Sequence, residues 1–191
     1  MLAYIFWHER GKEFKEDEYN KALIEFHIYY NREVRIEGYL GSMVVKVDKV
    51  PWSSNNVYED WYFVDSSKSL DLLNDSITGD QKIREVHDKI AKMARNGKGG
   101  LYKLINGDPL SPSFPHAVWI SKPVGVSYDV FYTEIREISG NLWRKQLAMA
   151  PMSEFCIFSK REIRVDEKFS PVFQKRNLLY ISDELKKKMN T

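Results

Sequence analysis

The chain has 191 residues, enough for one substantial core or for two small half-domains that share one. With 43% apolar and 29% charged residues it is too hydrophobic and too balanced for disorder, and a net charge of +2 with interspersed signs gives no electrostatic case for nucleic acid or a membrane surface. Cys156 is the single cysteine, which excludes an intrachain disulfide and places the expected compartment in the cytoplasm.

The opening MLAYIFWHERGK is apolar first and charged afterwards, the reverse of a signal peptide, so it reads as a first strand over Leu2–Glu9. Both alternating sets, Ala3/Ile5/Trp7 and Leu2/Tyr4/Phe6, are apolar, which demands cover on both faces. A helix over Lys15–Asn31 follows, with Tyr19, Ala22, Leu23, Phe26 and Tyr30 inward and three acidic residues in its first turn. Met43, Val45 and Val47 mark a second strand that ends at Pro51. After the turn-rich connection 53–56 comes a third strand, Val57–Val64, dense in Tyr58, Trp61, Tyr62 and Phe63 and paired antiparallel to the second. The segment Ser66–Thr78 is polar, with one helical turn around Leu70–Leu73. A helix over Asp80–Arg95 turns Ile83, Val86, Ile90 and Met93 inward, NGKGG at 96–100 stops it, and Leu101–Ile105 makes a fourth strand. The order is β-α-β-β-α-β, that of a ferredoxin-like unit.

Residues 108–116, rich in proline, are the expected linker between a first unit at 1–107 and a second, abridged unit at 117–191. In the second unit a strand at Ala117–Ser121 runs through KPVG into a helix over Ser127–Ile138, capped by Gly140. Leu142–Ala150 and Glu154–Ser159 supply two strands, Pro171 limits the next helix to a turn or two, and Asn177–Ser182 is a last strand. Asp183–Met189 is a short helix with lysines suited to its C-terminus. Trp7 precedes Tyr19 by the same interval as Trp119 precedes Phe131, and the same offset maps Leu23 onto Ile135 and Glu25 onto Glu137. The chain thus reads as two copies of one small α+β unit.

The stretch VWISKPVGVSYDVFYTEIRE, with Lys122-Pro123, Gly125, Ser127 and Phe131, is similar to the opening of the dimeric α/β-barrel superfamily, particularly its EthD-like branch. His27 follows Tyr19 at the spacing of a histidine in that pattern, whereas Ser139 occupies the corresponding place in the second copy. The resemblance implies an α+β fold of two tandem ferredoxin-like units whose antiparallel sheets face each other as a pseudo-dimeric barrel, here within one chain. Members include cofactor-free monooxygenases, haem-handling proteins and dehalogenation-associated proteins, so the likeness implies an architecture more than an activity.

Against that frame the expected site is a small-molecule pocket between the sheets, serving an oxidative or related catabolic step. His8 and His27 are its candidate catalytic groups and Trp7, Trp61, Tyr62 and Trp119 its candidate walls. The competing reading gives both histidines ordinary structural bonds and fills the lumen with aromatic side chains, leaving a non-catalytic binding or interaction protein. No cofactor is required; a haem would need His8 or His27 to face the lumen, and no two histidines have metal-ligand spacing. NGKGG lacks the phosphate-binding spacing, and Cys156 in its apolar run reads as an inert buried thiol. Single-stranded RNA binding is the least favoured reading, because Glu37-Gly38-Tyr39-Leu40-Gly41 carries the wrong charge for an RNA-recognition signature. Further oligomerisation stays open.

Overall fold

The computed structural model describes residues 1–53, 55–136, 138 and 140–189. Ser54, Glu137, Ser139 and the last two positions of the 117–191 unit lie outside them, and with Glu137 goes one landmark of the internal offset. Eight strands form a closed antiparallel barrel: β1 (Leu2–Arg10), β2 (Tyr39–Val47), β3 (Val57–Val64), β4 (Ala94–Asn106), β5 (His116–Ile120), β6 (Leu142–Lys145), β7 (Phe155–Ser159) and β8 (Val172–Ile181). Their order around the barrel is β1-β3-β2-β8-β5-β7-β6-β4, and β4 closes back onto β1. Among the described residues there are five α-helices: α1 (Glu16–Glu33), α2 (Lys68–Gly79), α3 (Gln81–Ala91), α4 (Tyr128–Arg136) and α5 (Asp183–Met189).

Strand alternation sorts the side chains into three cores. Odd-numbered Ala3, Ile5 and Trp7 of β1 and Trp61 and Phe63 of β3 enter the lumen, together with Met43, Val45, Tyr102, Trp119, Trp143 and Phe158. Even-numbered residues of β1 and β3, including Tyr4, Tyr58, Tyr62 and Val64, face outward and pack under α1, α2 and α3. A separate outer core around Phe131, Ile135 and Phe155 lies under α4. The two-faced burial of β1 therefore has a plain cause: lumen on one side, helices on the other.

The lumen is filled by rings. Trp7 and Trp119 meet edge-on with centroids 6.0 Å apart, and Trp61 meets Trp143 and Phe158 at 5.6 and 5.7 Å. Each of these four indole N–H groups has an acceptor, as a buried indole requires. Glu59 takes two of them, from Trp7 and Trp61, both at 2.9 Å. Trp119 donates to Gln174 (2.6 Å) and Trp143 to Ser111 (3.1 Å). Arg176 completes the group, 2.7 Å from Glu59 with both side chains fully buried, and it donates further to the Pro112 carbonyl. Ser111 and Pro112 belong to the expected linker, which packs onto one end of the barrel as a 3₁₀ turn. Leu185 of α5 is also part of the lumen cluster.

Several sequence expectations need correction. NGKGG does not end a helix; it lies inside β4, which starts at Ala94. Its glycines allow close strand packing: a Cβ on Gly97 would stand 2.6 Å from the Phe6 ring, and one on Gly99 would stand 2.4 Å from the Tyr4 hydroxyl. The single turn expected near Leu70–Leu73 is a full helix, α2, broken from α3 at Asp80, whose side chain caps the Ile83 N–H. β6 ends at Lys145 rather than Ala150, with Leu147 at a positive φ of 52° in the loop beyond. β8 is longer than expected, starting at Val172 directly after Pro171, while the turn or two expected before it is present as a 3₁₀ turn at Glu167–Phe169. His116 opens β5 instead of closing the linker.

Candidate functional site

The polar cluster of interest lies outside the barrel, between the sheet and α1. Residues Tyr19, Leu23 and His27 recur every four positions along α1, which places them on one buried stripe facing β1, β3 and β2. Beneath that stripe the outward residues are His8 on β1, Asp60 and Tyr62 on β3, and Ser42 on β2. Asp60 is 4% exposed, His8 2% and His27 fully buried, so their polar atoms must be satisfied by neighbours rather than by bulk water.

Most of them are. Tyr19 Oη hydrogen-bonds His8 Nδ1 at 2.5 Å, and His8 Nε2 stands 3.0 Å from Asp60 Oδ2. His27 approaches the same carboxylate oxygen at 3.5 Å through Nε2, while its Nδ1 meets Ser42 Oγ at 2.7 Å. Asn31 donates to Ser42 Oγ and to the His27 carbonyl, and Tyr39 donates to Asn31 Oδ1. The two contacts from imidazole to carboxylate are close enough to couple charges, but neither has the alignment of a hydrogen bond. Asp60 Oδ1, like the two Nε2 atoms, is buried without a hydrogen-bond partner.

Electrostatics follow from this placement. Burial alone would raise the Asp60 carboxyl, but positive charge on His8 and His27 outweighs it and holds the group well below the usual carboxylate range. Burial, then the Asp60 charge, push the Tyr19 and Tyr62 hydroxyls well above the ordinary phenol value, so both remain protonated. The site is thus a fixed carboxylate flanked by two imidazoles and neutral phenols, the side-chain types of acid–base chemistry and of hydrogen-bonded ligand capture.

His8 and Asp60 line a cavity of about 320 Å³ whose other walls include Phe6, Phe26, Tyr62 and His87. It adjoins a wider cleft of about 850 Å³, which shares Phe6, Tyr62 and His87 and continues past Gly99 to Met149 and Ala150. Arg95 stands at the rim of the smaller cavity, tied to Glu13 and to the Lys92 and Ala94 carbonyls.

The expected site residues therefore divide. Trp7, Trp61 and Trp119 are lumen residues, as supposed, and are engaged with one another, with Glu59 and with Gln174. Tyr62, expected beside them, is on the outer face, because an even position on β3 points away from Trp61; it stacks on His27 with centroids 5.3 Å apart. His8 and His27 come together, but on the helix side of the wall, so neither faces the lumen as a haem ligand there would have to. Sequence reasoning missed Asp60. Its signal was the pair Glu59-Asp60 inside an otherwise apolar strand: alternation must bury one carboxylate on each face, and each then needs partners. Among the described residues no group of three or more His, Cys, Asp or Glu side chains is disposed to hold a metal ion. No helix among them is long and apolar enough to cross a membrane.

Fold and site together define the class: an α+β protein built on a closed, eight-stranded antiparallel barrel, with a buried His–Asp–His cluster under its longest helix. Comparison with protein-family models and with curated proteins gave no match.

Proposed function

We propose that the chain is a small-molecule-binding protein whose site is the cavity between α1, α3 and the outer face of the sheet, with the lumen serving as its structural core. The observation that carries this reading is the Asp60 carboxylate. It is buried, it belongs to the lining of a largely apolar cavity, and one of its oxygens has no hydrogen-bond partner. An unpaired buried acceptor costs about 1–3 kcal/mol, more when charged, and a bound donor recovers that cost. Pockets of this size, apolar with a few converging polar groups, are the usual form of small-ligand sites.

The scaffold reading is part of the same proposal: two tandem ferredoxin-like units, related by duplication and akin to the dimeric α/β-barrel superfamily. Its support is the strand order, in which β4-β1-β3-β2 and β8-β5-β7-β6 repeat one 4-1-3-2 pattern in all-antiparallel sheets. The edge contact of Trp7 with Trp119, the equivalent positions of the two copies, adds to it. On this reading α2 and α3 have no helical counterpart in the second half, and the cavity belongs to the first half alone.

The test is a ligand-observed NMR screen of aromatic fragments against the wild-type protein and against Ala91→Trp, which fills the cavity from the exposed side of α3. Hits should be lost in the variant. Hits that persist in it, or no hits with the wild type, overturn the proposal.

A further inference from the structure

Resting on that reading, we propose that the cavity takes a planar aromatic molecule bearing an N–H or O–H group on its edge, which it presents to Asp60 Oδ1. Three observations converge on this class. First, Oδ1 is a buried acceptor without a hydrogen-bond partner: His8 Nδ1 is taken by Tyr19, His27 Nδ1 by Ser42, Asn31 and Tyr39 by each other, and the two unbonded Nε2 atoms of His8 and His27 stand by Oδ2 instead, at 3.0 and 3.5 Å. An ionised carboxylate can only accept, so a bound partner must donate.

Second, rings make up a large part of the wall, beside the aliphatic Leu23, Ile90, Ala91 and Ala94. Phe6 stacks on His8 (5.4 Å, 29°), Tyr62 on His27 (5.3 Å, 22°), and Phe26 stands edge-on to His27 and His87. Another flat ring continues such an arrangement through offset or edge contacts. Third, the other charged groups at the cavity are committed elsewhere. Arg95 is held by Glu13 and two carbonyls, and His87 by Asp88, which leaves the polar end to Asp60 and His8. The Asp60 carboxyl is held well below the usual carboxylate range against the effect of its burial, so the acceptor is ionised at neutral pH.

Indole and 1-methylindole are the probes, since they share a ring and differ by the donor. Isothermal titration calorimetry should show indole binding to the wild type and 1-methylindole weaker by about tenfold or more, the cost of leaving a charged acceptor unpaired. Asp60→Leu should bind both alike, and Ala91→Trp should bind neither. Where Asp60→Leu does not fold, the wild-type comparison with Ala91→Trp decides. Equal affinity for the two probes in the wild type overturns the donor requirement and leaves the cavity reading standing. Indole binding that survives Ala91→Trp places the ring elsewhere and overturns both. Absence of binding by either probe overturns the inference alone, the fragment screen then judging the cavity. A crystal structure at saturating indole with Oδ1 bonded only to a fixed water would also overturn it.

Discussion

Glu59 and Asp60 are neighbours on β3, yet their carboxylates lie on opposite sides of the barrel wall and in opposite circumstances. Glu59 faces the lumen, where two indoles and a buried guanidinium use both of its oxygens. Asp60 faces α1, where two histidines crowd one oxygen and leave the other without a partner. Both are nearly sealed from solvent, so burial does not distinguish them. Satisfaction does. A carboxylate with every acceptor used ties a core together; one with an acceptor to spare, on the wall of a cavity, has capacity for something that arrives from outside.

The largest expected effect falls on the inner carboxylate. Glu59→Ala leaves Arg176 buried without its counter-charge and two indoles without an acceptor, and should lower the unfolding free energy by about 3–5 kcal/mol in chemical denaturation. A loss below about 1 kcal/mol would mean the lumen network is not what holds the barrel.

The outer carboxylate should show itself through pH. Its folded pKa is depressed, so the stability it contributes is present above the unfolded value of about 4 and is lost as pH falls below that value. Asp60→Asn should therefore be less stable than the wild type at pH 7, with the gap narrowing progressively as pH falls below about 4 and a shallower acid limb. Parallel acid limbs would contradict the coupling of Asp60 to the histidines. Tyr19→Phe removes only the hydroxyl on His8 Nδ1 and should cost about 1 kcal/mol by thermal or urea unfolding. Ala91→Trp, on the exposed side of α3, should change stability least, within about 0.5 kcal/mol, while abolishing fragment binding.

Much of the wall was legible in the sequence because period-two alternation is a strong signal. Two apolar faces on β1 implied cover on both sides, and the lumen and the helical layer supply it. The inward set Tyr19, Ala22, Leu23, Phe26 and Tyr30 was equally legible from helical spacing, and all five are buried, with His27 buried beside them. What escaped was the side of the wall on which each polar residue would lie. His8 sits one position past Trp7, and a single step along a strand moves a side chain from lumen to helix face. Tyr62 was misplaced by the same step from Trp61. The glycines of NGKGG misled for a different reason: they carry no side chain to reveal that Phe6 and Tyr4 need the space. Asp60 was hidden among aromatics, and its meaning depends on His8 and His27, which reach it from other elements and a distance in sequence that no local pattern encodes.

The claim that matters most is that a ligand meets this protein on the outside of the barrel, and a crystal structure of the protein soaked with indole tests it directly. The account predicts ring density between Phe6, Phe26 and Tyr62, a nitrogen within hydrogen-bond distance of Asp60 Oδ1, and lumen side chains unmoved. Density inside the barrel beside Trp7 and Trp119, with the Asp60 cavity empty of the ring, would contradict it.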